Sequence, residues 1–341
     1  MKVSAPQPAP PEVVYDTLVI GGGPIGLACG ILLRRCGVRA LILEKGSVAD
    51  AVRLFPVDMT FFSTSELIEL CGIPLISAGI RPTRFEALKY YSRVAESEKL
   101  EICRFTEVRS LRKRDDIFEA QDARGRTFRG KTAIFATGYY SQPNALGVPG
   151  ETLPHVSHYY DEGLKYASLD VVVVGGQNSA CDTALDLFRS GARVSLVHRG
   201  LGLGHSVKYW VRPDIENRMK AGEIKAHFGH RVAAITEQSV VIENIASCAQ
   251  EELLASFVFL MTGYHPDVAL LSDAGVSVDR ESLIPQFDPN SFETNIKGLF
   301  VAGSITAGKR TSSIFIENGR VHAEVVARSV CERMTGANTE A

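Results

Sequence analysis

The feature that most constrains the fold is a pattern of strand, glycine turn, helix and strand that occurs twice along the chain. The apolar run Leu18–Ile20 enters a turn at 21–26, and the apolar run Val171–Val174 enters a turn at 175–180. Strands that are apolar on both faces are typical of a parallel sheet covered by helices. The sequence therefore predicts two β-α-β units and an α/β fold class.

The last strand of each unit predicts how the chain is divided into domains. Apolar strands at 133–136 and 257–261 each end in Thr-Gly, and a further strand at 298–302 runs into Gly303. This order favours one Rossmann-like dinucleotide-binding domain built from both ends of the chain, with a second one inserted into it. The predicted bounds are 13–153 and 265–341 for the discontinuous domain, 154–264 for the inserted domain, and 1–12 for a disordered tail.

Composition and cysteine usage exclude several classes of protein. A net charge of −2 gives no basic field for nucleic acid, and no apolar run approaches the roughly 20 residues that a membrane-spanning helix needs. The first 12 residues lack the pattern of a targeting peptide, so we expect a cytoplasmic protein. The seven cysteines are scattered, with no C-x-x-C and no cysteine–histidine cluster. This spacing predicts neither a disulfide framework nor a metal site.

The first glycine turn has the spacing of a pyrophosphate-binding site. Gly21 allows the tight turn, Gly23 lets the backbone approach a phosphate, and Gly26 lets the helix and strand pack closely. The helix that follows directs its free amides at the anion. Glu44 ends the next strand, where a carboxylate can bond a ribose hydroxyl.

The second turn differs from the first in a way that predicts a different ligand. It is looser, because Gln177 and Ala180 stand where the first turn has glycines. Where the first unit has Glu44, the second has His198 and Arg199. A basic pair does not favour a free 2′-hydroxyl as an acid does, and it can hold a 2′-phosphate. We therefore predict FAD in the discontinuous domain and NADPH in the inserted domain.

The motifs define two sets of predicted cofactor residues and one candidate pocket. The FAD set is Gly21, Gly23, Pro24, Ile25, Gly26, Glu44, Lys45, Thr60, Val108, Ala136, Thr137, Gly138, Gly303, Ser304 and Ile316, the last in a helix predicted from about Ser313. The NADPH set is Gly176, Gln177, Asn178, Ser179, Ala180, His198, Arg199, Thr262 and Gly263. Aromatic and hydroxyl side chains suggest an acceptor pocket, with a packed loop as the alternative interpretation, at Thr60, Phe62, Ser63 and Glu317. The catalytic acid or base is left unassigned.

With these motifs the chain resembles the low-molecular-weight thioredoxin reductase-like flavoproteins and, among them, the bacillithiol disulfide reductase family. The resemblance covers about residues 16–334 and rests on five segments taken together: Thr60–Ser63, Ala136–Tyr140, Gly175–Ala180, Gly263–Asp267 and Ile314–Gly319. It implies FAD, NADPH, a homodimer, and reduction of a low-molecular-weight thiol disulfide in the cytoplasm.

The chain departs from the patterns of these families at three places. Residues 155–170, where thioredoxin reductases carry C-x-x-C, contain no cysteine, which excludes protein-disulfide exchange by that route. Ile25 stands where bacillithiol disulfide reductases often carry a cysteine. If that thiol is needed for disulfide reduction, this protein either delivers electrons straight from the flavin or serves another acceptor. Ser304 stands where many relatives of the wider fold have an aspartate, and a serine can still hydrogen-bond the flavin's ribityl chain.

The leading hypothesis is an FAD-dependent NADPH oxidoreductase whose partner is a small disulfide of the bacillithiol type or another small electron acceptor. A flavin-dependent monooxygenase is an alternative, because the run 150–159 resembles the linker of those enzymes. An NADPH-dependent reductase of ferredoxin or flavodoxin is another, because it shares this fold and also lacks C-x-x-C. A non-enzymatic redox-sensing module is a further class.

Overall fold

Two separate sheets contain the apolar strands that lead into the glycine turns, and these strands are parallel to their neighbours on the side of the second strand of each unit. The computed structural model describes residues 13–336, so the tail predicted at 1–12 lies outside the described residues. In chain order the strands are β1 (Val14–Ile20), β2 (Ala40–Leu43), β3 (Glu101–Cys103), β4 (Val108–Arg114), β5 (Ile117–Asp122), β6 (Thr127–Phe135), β7 (Val156–Ser157), β8 (Asp170–Val174), β9 (Arg193–His198), β10 (Ile224–Phe228), β11 (His230–Ile235), β12 (Ser239–Asn244), β13 (Gln250–Leu254), β14 (Phe257–Leu260) and β15 (Leu299–Val301). The α-helices are α1 (Pro24–Arg35), α2 (Asp50–Arg53), α3 (Ser65–Ile68), α4 (Arg84–Ser97), α5 (Asn178–Arg189), α6 (Arg212–Lys220), α7 (Ala269–Asp273) and α8 (Ile316–Gly336). Among the described helices, none is both long and apolar enough to cross a membrane.

The first unit consists of the described residues up to Arg53, Thr60–Gln142, and the described residues from Tyr264 onward. Its sheet has the strand order β3-β2-β1-β6-β5-β4, and β15 also pairs with β6. Strand β6 is long enough for both partners, because it pairs antiparallel with β5 through Gly130 and parallel with β15 from Ala133 onward. The parallel strands β2, β1, β6 and β15 therefore end at one edge of the sheet, where the glycine turn begins.

The second unit consists of Leu54–Met59 and Pro143–Gly263. Its main sheet is parallel, in the order β10-β9-β8-β14-β7, and a separate antiparallel sheet is formed by β11-β12-β13. Strand β8 is buried on both faces: Val173 packs in the cluster that contains α5, and Val172 packs in the cluster that contains β12. This double burial explains the unbroken valine run.

The borders of the units lie at 142/143 and 263/264, whereas the sequence placed the domain borders at 153/154 and 264/265. Residues 143–153 group with the second unit because they are tied to it by backbone hydrogen bonds. Asn144 N donates to Gly263 O at 2.9 Å, and Ile235 N donates to Pro149 O at 2.9 Å.

The last helix begins at Ile316 and not at about Ser313, as the hydroxyl residues there had led us to expect. The side chain of Asn318 closes the preceding turn: its oxygen accepts from Phe315 N and its amide donates to Ser313 O, both at 2.8 Å. An asparagine can supply both bonds, whereas a hydroxyl cap supplies one acceptor at the helix start.

Candidate functional site

The two glycine turns have the same backbone geometry. Gly21 and Gly175 both adopt left-handed conformations, with φ of +109° and +147°. Their amides make equivalent bonds, from Gly21 to Leu43 O and from Gly175 to Val197 O, each at 2.9 Å. Each turn therefore starts where the first strand of its unit meets the end of the second, and the repeated sequence pattern produces the same turn twice.

The helices that follow the turns begin without side-chain caps. Gly23, which has no side chain, precedes α1, and Gln177 precedes α5 without capping it through its side chain. Neither helix has an acidic residue in its first turn. Helix α4 differs, because Thr83 and Glu86 form a capping box there. The first amides of α1 and α5 are therefore free to bind an anion, and the partial positive charge at each helix start is uncompensated.

Glu44 is held against the first turn by two backbone amides. Gly22 N donates to Glu44 Oε2 at 2.5 Å, and Gly46 N donates to Oε1 at 2.7 Å. Burial raises the pKa of Glu44, although both amide bonds act in the opposite direction. Each carboxylate oxygen keeps a further acceptor site. Glu44 can therefore hold the turn and also accept a hydrogen bond from a ribose hydroxyl.

His198 occupies the equivalent place in the second unit. A Cβ built on Gly176 would lie 2.5 Å from the His198 ring, just as one built on Gly22 would lie 2.9 Å from Glu44 Cβ. Burial, helped by the charge of Arg199, lowers the pKa of His198, so its ring is neutral near pH 7. Arg199 is exposed, and within residues 13–336 it pairs with no carboxylate. Its guanidinium is available to an anionic ligand.

Two predicted NADPH residues, Gln177 and Asn178, contact a loop at 204–208. Ser206 Oγ donates to Gln177 Oε1, and Asn178 Nδ2 donates to Ser206 O at 3.0 Å. Lys208 N donates to Asn178 Oδ1 at 2.9 Å. The loop therefore lies against the start of α5, next to exposed Ser179 and buried Ala180. No motif indicates these contacts, because they join segments about one helix and one strand apart in sequence.

The closing strands bring the remaining predicted residues to each turn. In the first unit, Gly138 lies beside Ser304, since a Cβ built on it would be 3.6 Å from Ser304 Oγ. Gly303, with φ of +78°, lies against Ile25, whose Cγ1 would be 3.1 Å from a built Cβ. Gly303 N also donates to His322 Nδ1 at 3.2 Å, a contact that the sequence did not predict. Burial lowers the pKa of His322, which keeps the ring neutral and able to accept this bond.

The remaining residues of the predicted FAD set lie at helix starts, after strands, in the core or at the surface. Pro24 is the first residue of α1, Ala136 N donates to Ile20 O at 2.8 Å, and Thr137 is exposed. Lys45 is exposed after Glu44, Val108 packs in the core of the first unit, and Ile316 begins α8.

In the second unit, the closing Thr262 and Gly263 are fixed by Asn144. Thr262 Oγ1 donates to Asn144 O at 2.6 Å, and Asn144 Nδ2 donates to Thr262 O at 3.1 Å. Gly263 has φ of +84°. Over residues 13–336, no group of three or more histidine, cysteine or acidic side chains is arranged to hold a metal ion.

Two of the four residues proposed for the acceptor pocket are hydrogen-bonded to each other within the first unit. Ser63 Oγ donates to Glu317 Oε1, which brings together two residues 254 positions apart. Phe62 is 39% exposed, whereas its neighbour Phe61 is buried. Thr60 forms an isolated bridge with Thr83. The structure thus joins Ser63 to Glu317 and leaves an aromatic ring exposed in the same segment.

The order of these parts agrees with a family model described as pyridine nucleotide-disulphide oxidoreductase, which matches residues 18–303. The match covers both glycine turns and both closing strands. The chain belongs to this family. It is therefore an oxidoreductase, and the family implies a flavin and a nicotinamide dinucleotide as its cofactors.

Comparison with individual proteins narrows the relationship. The chain is 41% identical to bacilliredoxin reductase of Bacillus subtilis (strain 168), over 93% of this chain and 97% of that protein. It is similar to the solved bacillithiol disulfide reductase from Bacillus cereus, with a TM-score of 0.90, 38% identity, and coverage of 94% of this chain and 100% of that one. The thioredoxin reductase of T. acidophilum shares the fold, with a TM-score of 0.76, 19% identity, and coverage of 95% and 100%. These similarities confirm the predicted thioredoxin reductase-like fold class and the resemblance to bacillithiol disulfide reductases.

Proposed function

We propose that this oxidoreductase binds FAD in the first unit and NADPH in the second, and that it reduces a low-molecular-weight thiol disulfide of the bacillithiol type. The observation that carries the proposal is the pair of equivalent turns, one ending against Glu44 and the other against His198 and Arg199. The similarity to a bacillithiol disulfide reductase supports the choice of acceptor.

The first unit fits FAD because its turn has no side chain at the place where a diphosphate must approach. A Cβ built on Gly23 would have no atom within 4 Å, so the backbone there faces open space. The uncapped start of α1 supplies amides for the phosphates. Glu44 would accept from the ribose of the adenosine, and Ser304 would bond the ribityl chain, while His322 holds the Gly303 turn in place.

The second unit fits NADPH because a cation lies at the end of its second strand. Arg199 would bind the 2′-phosphate with its planar guanidinium, which matches phosphate geometry. His198, neutral near pH 7, adds no charge of its own and supports the turn from beneath Gly176. The loop 204–208, held by Gln177 and Asn178, would border the same ligand.

When bound, FAD would supply the chemistry of hydride and electron transfer that links NADPH to the acceptor. The chain has Ile25 in the turn and no cysteine at 155–170, so the residues at these two places form no covalent adduct with the disulfide. Cys29, one turn further along α1, is fully buried, and burial raises its pKa to about 12. Its thiol therefore keeps its proton and is no nucleophile. Ser63 and Glu317 are the pair we propose to hold a proton beside the acceptor.

We further propose that the protein acts in the cytoplasm as a homodimer, with a small-molecule acceptor and without nucleic-acid or membrane partners. The low net charge supports the absence of a nucleic-acid partner.

A steady-state screen of NADPH oxidation by FAD-loaded protein tests the acceptor. We expect turnover with bacillithiol disulfide to exceed turnover with ferredoxin, quinone or oxygen by at least about tenfold, a difference of about 1.4 kcal/mol in transition-state stabilisation. Ser63→Ala and Glu317→Gln should each reduce turnover with the disulfide while leaving the first reduction of the flavin by NADPH unchanged.

Other outcomes of the screen would redirect the proposal. Fast turnover with ferredoxin that falls steeply with salt would indicate a protein acceptor. A long-lived oxygen adduct in stopped-flow spectra would indicate a monooxygenase. Oxidation of NADPH with oxygen alone, at a slow rate, would remove the disulfide assignment.

A further inference from the structure

The candidate acceptor residue Ser63 lies in a segment that is too short to hold its own shape. The segment continues into α3, a helix of four residues, which Thr64 begins without a side-chain cap. A single helical turn fixes several backbone dihedral angles for about one hydrogen bond, so it does not persist in water unless other elements hold it. The position of Ser63 therefore depends on the side chains that bind residues 64–69.

The carbonyl groups at the end of α3 are bound by side chains from two other helices. Arg320, on α8, donates from one terminal nitrogen, Nη1, to Glu66 O and to Glu69 O, each at 2.9 Å. Tyr91, on α4, donates to Ile68 O at 3.1 Å. Carbonyls at a helix end have no partner within the helix itself. Side chains from α8 and α4 therefore complete the hydrogen bonding of α3.

Arg320 and Glu317 lie about one turn apart on the same face of α8, because residues three apart in a helix are neighbours on its surface. Glu317 accepts from Ser63, and Arg320 holds the carbonyls that follow Ser63 in the chain. Two successive positions of one helix face thus bind two successive parts of the segment. A shift of α3 along α8 would carry Ser63 away from Glu317.

The guanidinium of Arg320 is committed to these carbonyls. It is half-buried, and within residues 13–336 it forms no ion pair with a carboxylate. Hydrogen bonds from a charged donor are roughly twice as strong as those between neutral groups. Arg328, about two turns further along α8, is exposed and has neither a hydrogen bond nor an ion pair in the described part of the chain. The same helix thus carries one arginine that holds α3 and one that does not.

We propose that Arg320 is a positioning residue for the acceptor reaction. By binding the α3 carbonyls it keeps Ser63 on Glu317, and it does not itself touch the acceptor. The inference rests on the proposed function, in which Ser63 and Glu317 hold a proton beside the acceptor. Placement of this kind matters because a displacement of about 1 Å in a reacting group can reduce the rate about 100-fold.

Hydrogen exchange in the FAD-loaded protein, without NADPH or acceptor, tests the positioning directly. Arg320→Met keeps an unbranched side chain and removes the donors, so the amides of the peptide 64–70 should exchange at least about tenfold faster. Arg320→Lys keeps a charged donor and should recover most of the protection. Arg328→Met is the matched control and should exchange as the unmodified protein does. Equal protection of this peptide in Arg320→Met and in the unmodified protein would overturn the proposal.

A double-mutant cycle on the acceptor reaction tests whether Arg320 acts through Ser63. With bacillithiol disulfide, Arg320→Met should lower kcat/KM about tenfold and leave the reduction of the flavin by NADPH unchanged. The variant that combines Ser63→Ala with Arg320→Met should be no slower than Ser63→Ala alone, because the pair is already broken. Losses that multiply in the combined variant would show that Arg320 does not act through Ser63.

The cycle also separates this inference from the choice of acceptor. If the unmodified protein turns over only another acceptor, the proposed function is wrong, and the same cycle with that acceptor still decides the role of Arg320. If Ser63→Ala has no effect with either acceptor, Arg320 has no pair to hold in the reaction and the inference is wrong.

Discussion

The two glycine turns share one backbone and differ in what surrounds it. In the first unit, Gly23 faces open space and Gly26 lies so close to Gly21 that a built Cβ would overlap the Gly21 carbonyl oxygen. In the second unit the equivalent positions carry the side chains of Gln177 and Ala180. The first turn is therefore lined by backbone alone, whereas the second is lined by side chains as well.

We relate this difference to how long each proposed ligand stays bound. A turn lined by backbone amides, with Glu44 locked by two of them, is pre-formed and suits a cofactor that stays bound. The second turn depends on the loop 204–208, which is attached through the side chains of Gln177 and Asn178. A site completed by a loop suits a coenzyme that binds and leaves in every cycle. The same fold, present twice, can thus hold one dinucleotide that stays bound and another that exchanges in every cycle.

The largest expected effect comes from replacing Gly26 of the first turn by alanine, the residue at the equivalent position of the second turn. Gly26→Ala places a Cβ against the Gly21 carbonyl, so the turn must open where the diphosphate would bind. We expect the FAD affinity to fall by at least about 100-fold, about 2.8 kcal/mol. Flavin content after dialysis, and the dissociation constant from flavin fluorescence, measure the effect.

The reciprocal variant Ala180→Gly is the matched control for this comparison. It relieves no clash, and its cost is the flexibility of a glycine in the first turn of α5, about 0.5–1 kcal/mol of stability. FAD content should be unchanged in this variant. If Gly26→Ala retains flavin as well as Ala180→Gly does, the contrast between the two turns does not govern cofactor retention.

A smaller effect is expected from Arg199, which we propose binds the 2′-phosphate of NADPH. Arg199→Ala removes an exposed guanidinium that pairs with no carboxylate in the described part of the chain. Charge-assisted hydrogen bonds contribute about 1.5–3 kcal/mol, so the Michaelis constant for NADPH should rise about 10- to 100-fold. The constant for NADH should stay nearly the same, because NADH has no 2′-phosphate.

Arg193→Ala is the control, since Arg193 lies on the same strand β9 but is occupied by an ion pair with Asp170, at 2.7 Å. It should leave both Michaelis constants unchanged. An equal rise for NADPH and NADH in Arg199→Ala would show that Arg199 does not contact the phosphate.

Local patterns were sufficient to predict the parts of the molecule that repeat. Unbroken apolar runs followed by glycine predicted β1, β8 and their turns, because a buried parallel strand needs apolar side chains on both faces. The start of α8 was predicted wrongly, since three hydroxyl residues looked like caps and the side chain of Asn318 forms the bonds instead. Capping depends on which side chain reaches the backbone, and sequence spacing alone does not decide that.

Contacts between distant segments could not be predicted, even where the residues themselves were. Ser63 and Glu317 were both proposed for the acceptor pocket, but no pattern indicated that they would share a hydrogen bond. The bond from Gly303 to His322 depends on how α8 packs on its neighbours. Such pairs follow from tertiary packing, which the periodicity of one helix does not contain.

The smallest expected effect is on the pH dependence of stability. Glu44 and His198 occupy equivalent places in the two units, but folding raises the pKa of Glu44 and lowers the pKa of His198. Folding lowers the pKa of His198, so the unfolded chain takes up this proton at higher pH than the folded chain. The free energy of unfolding should therefore fall as the pH drops below the usual histidine pKa of 6.5. For Glu44 folding raises the pKa, so its contribution is present at low pH and is lost as the pH rises above the usual 4.5.

His198→Gln should therefore flatten the decline in melting temperature between pH 7.5 and pH 5.5. The change corresponds to less than about 1 kcal/mol, because the ring is only half-buried and solvent screens it. If the melting temperature of His198→Gln declines as steeply as that of the unmodified protein, His198 does not link folding to proton binding. The two turns would then differ only in the charge that they present to a ligand.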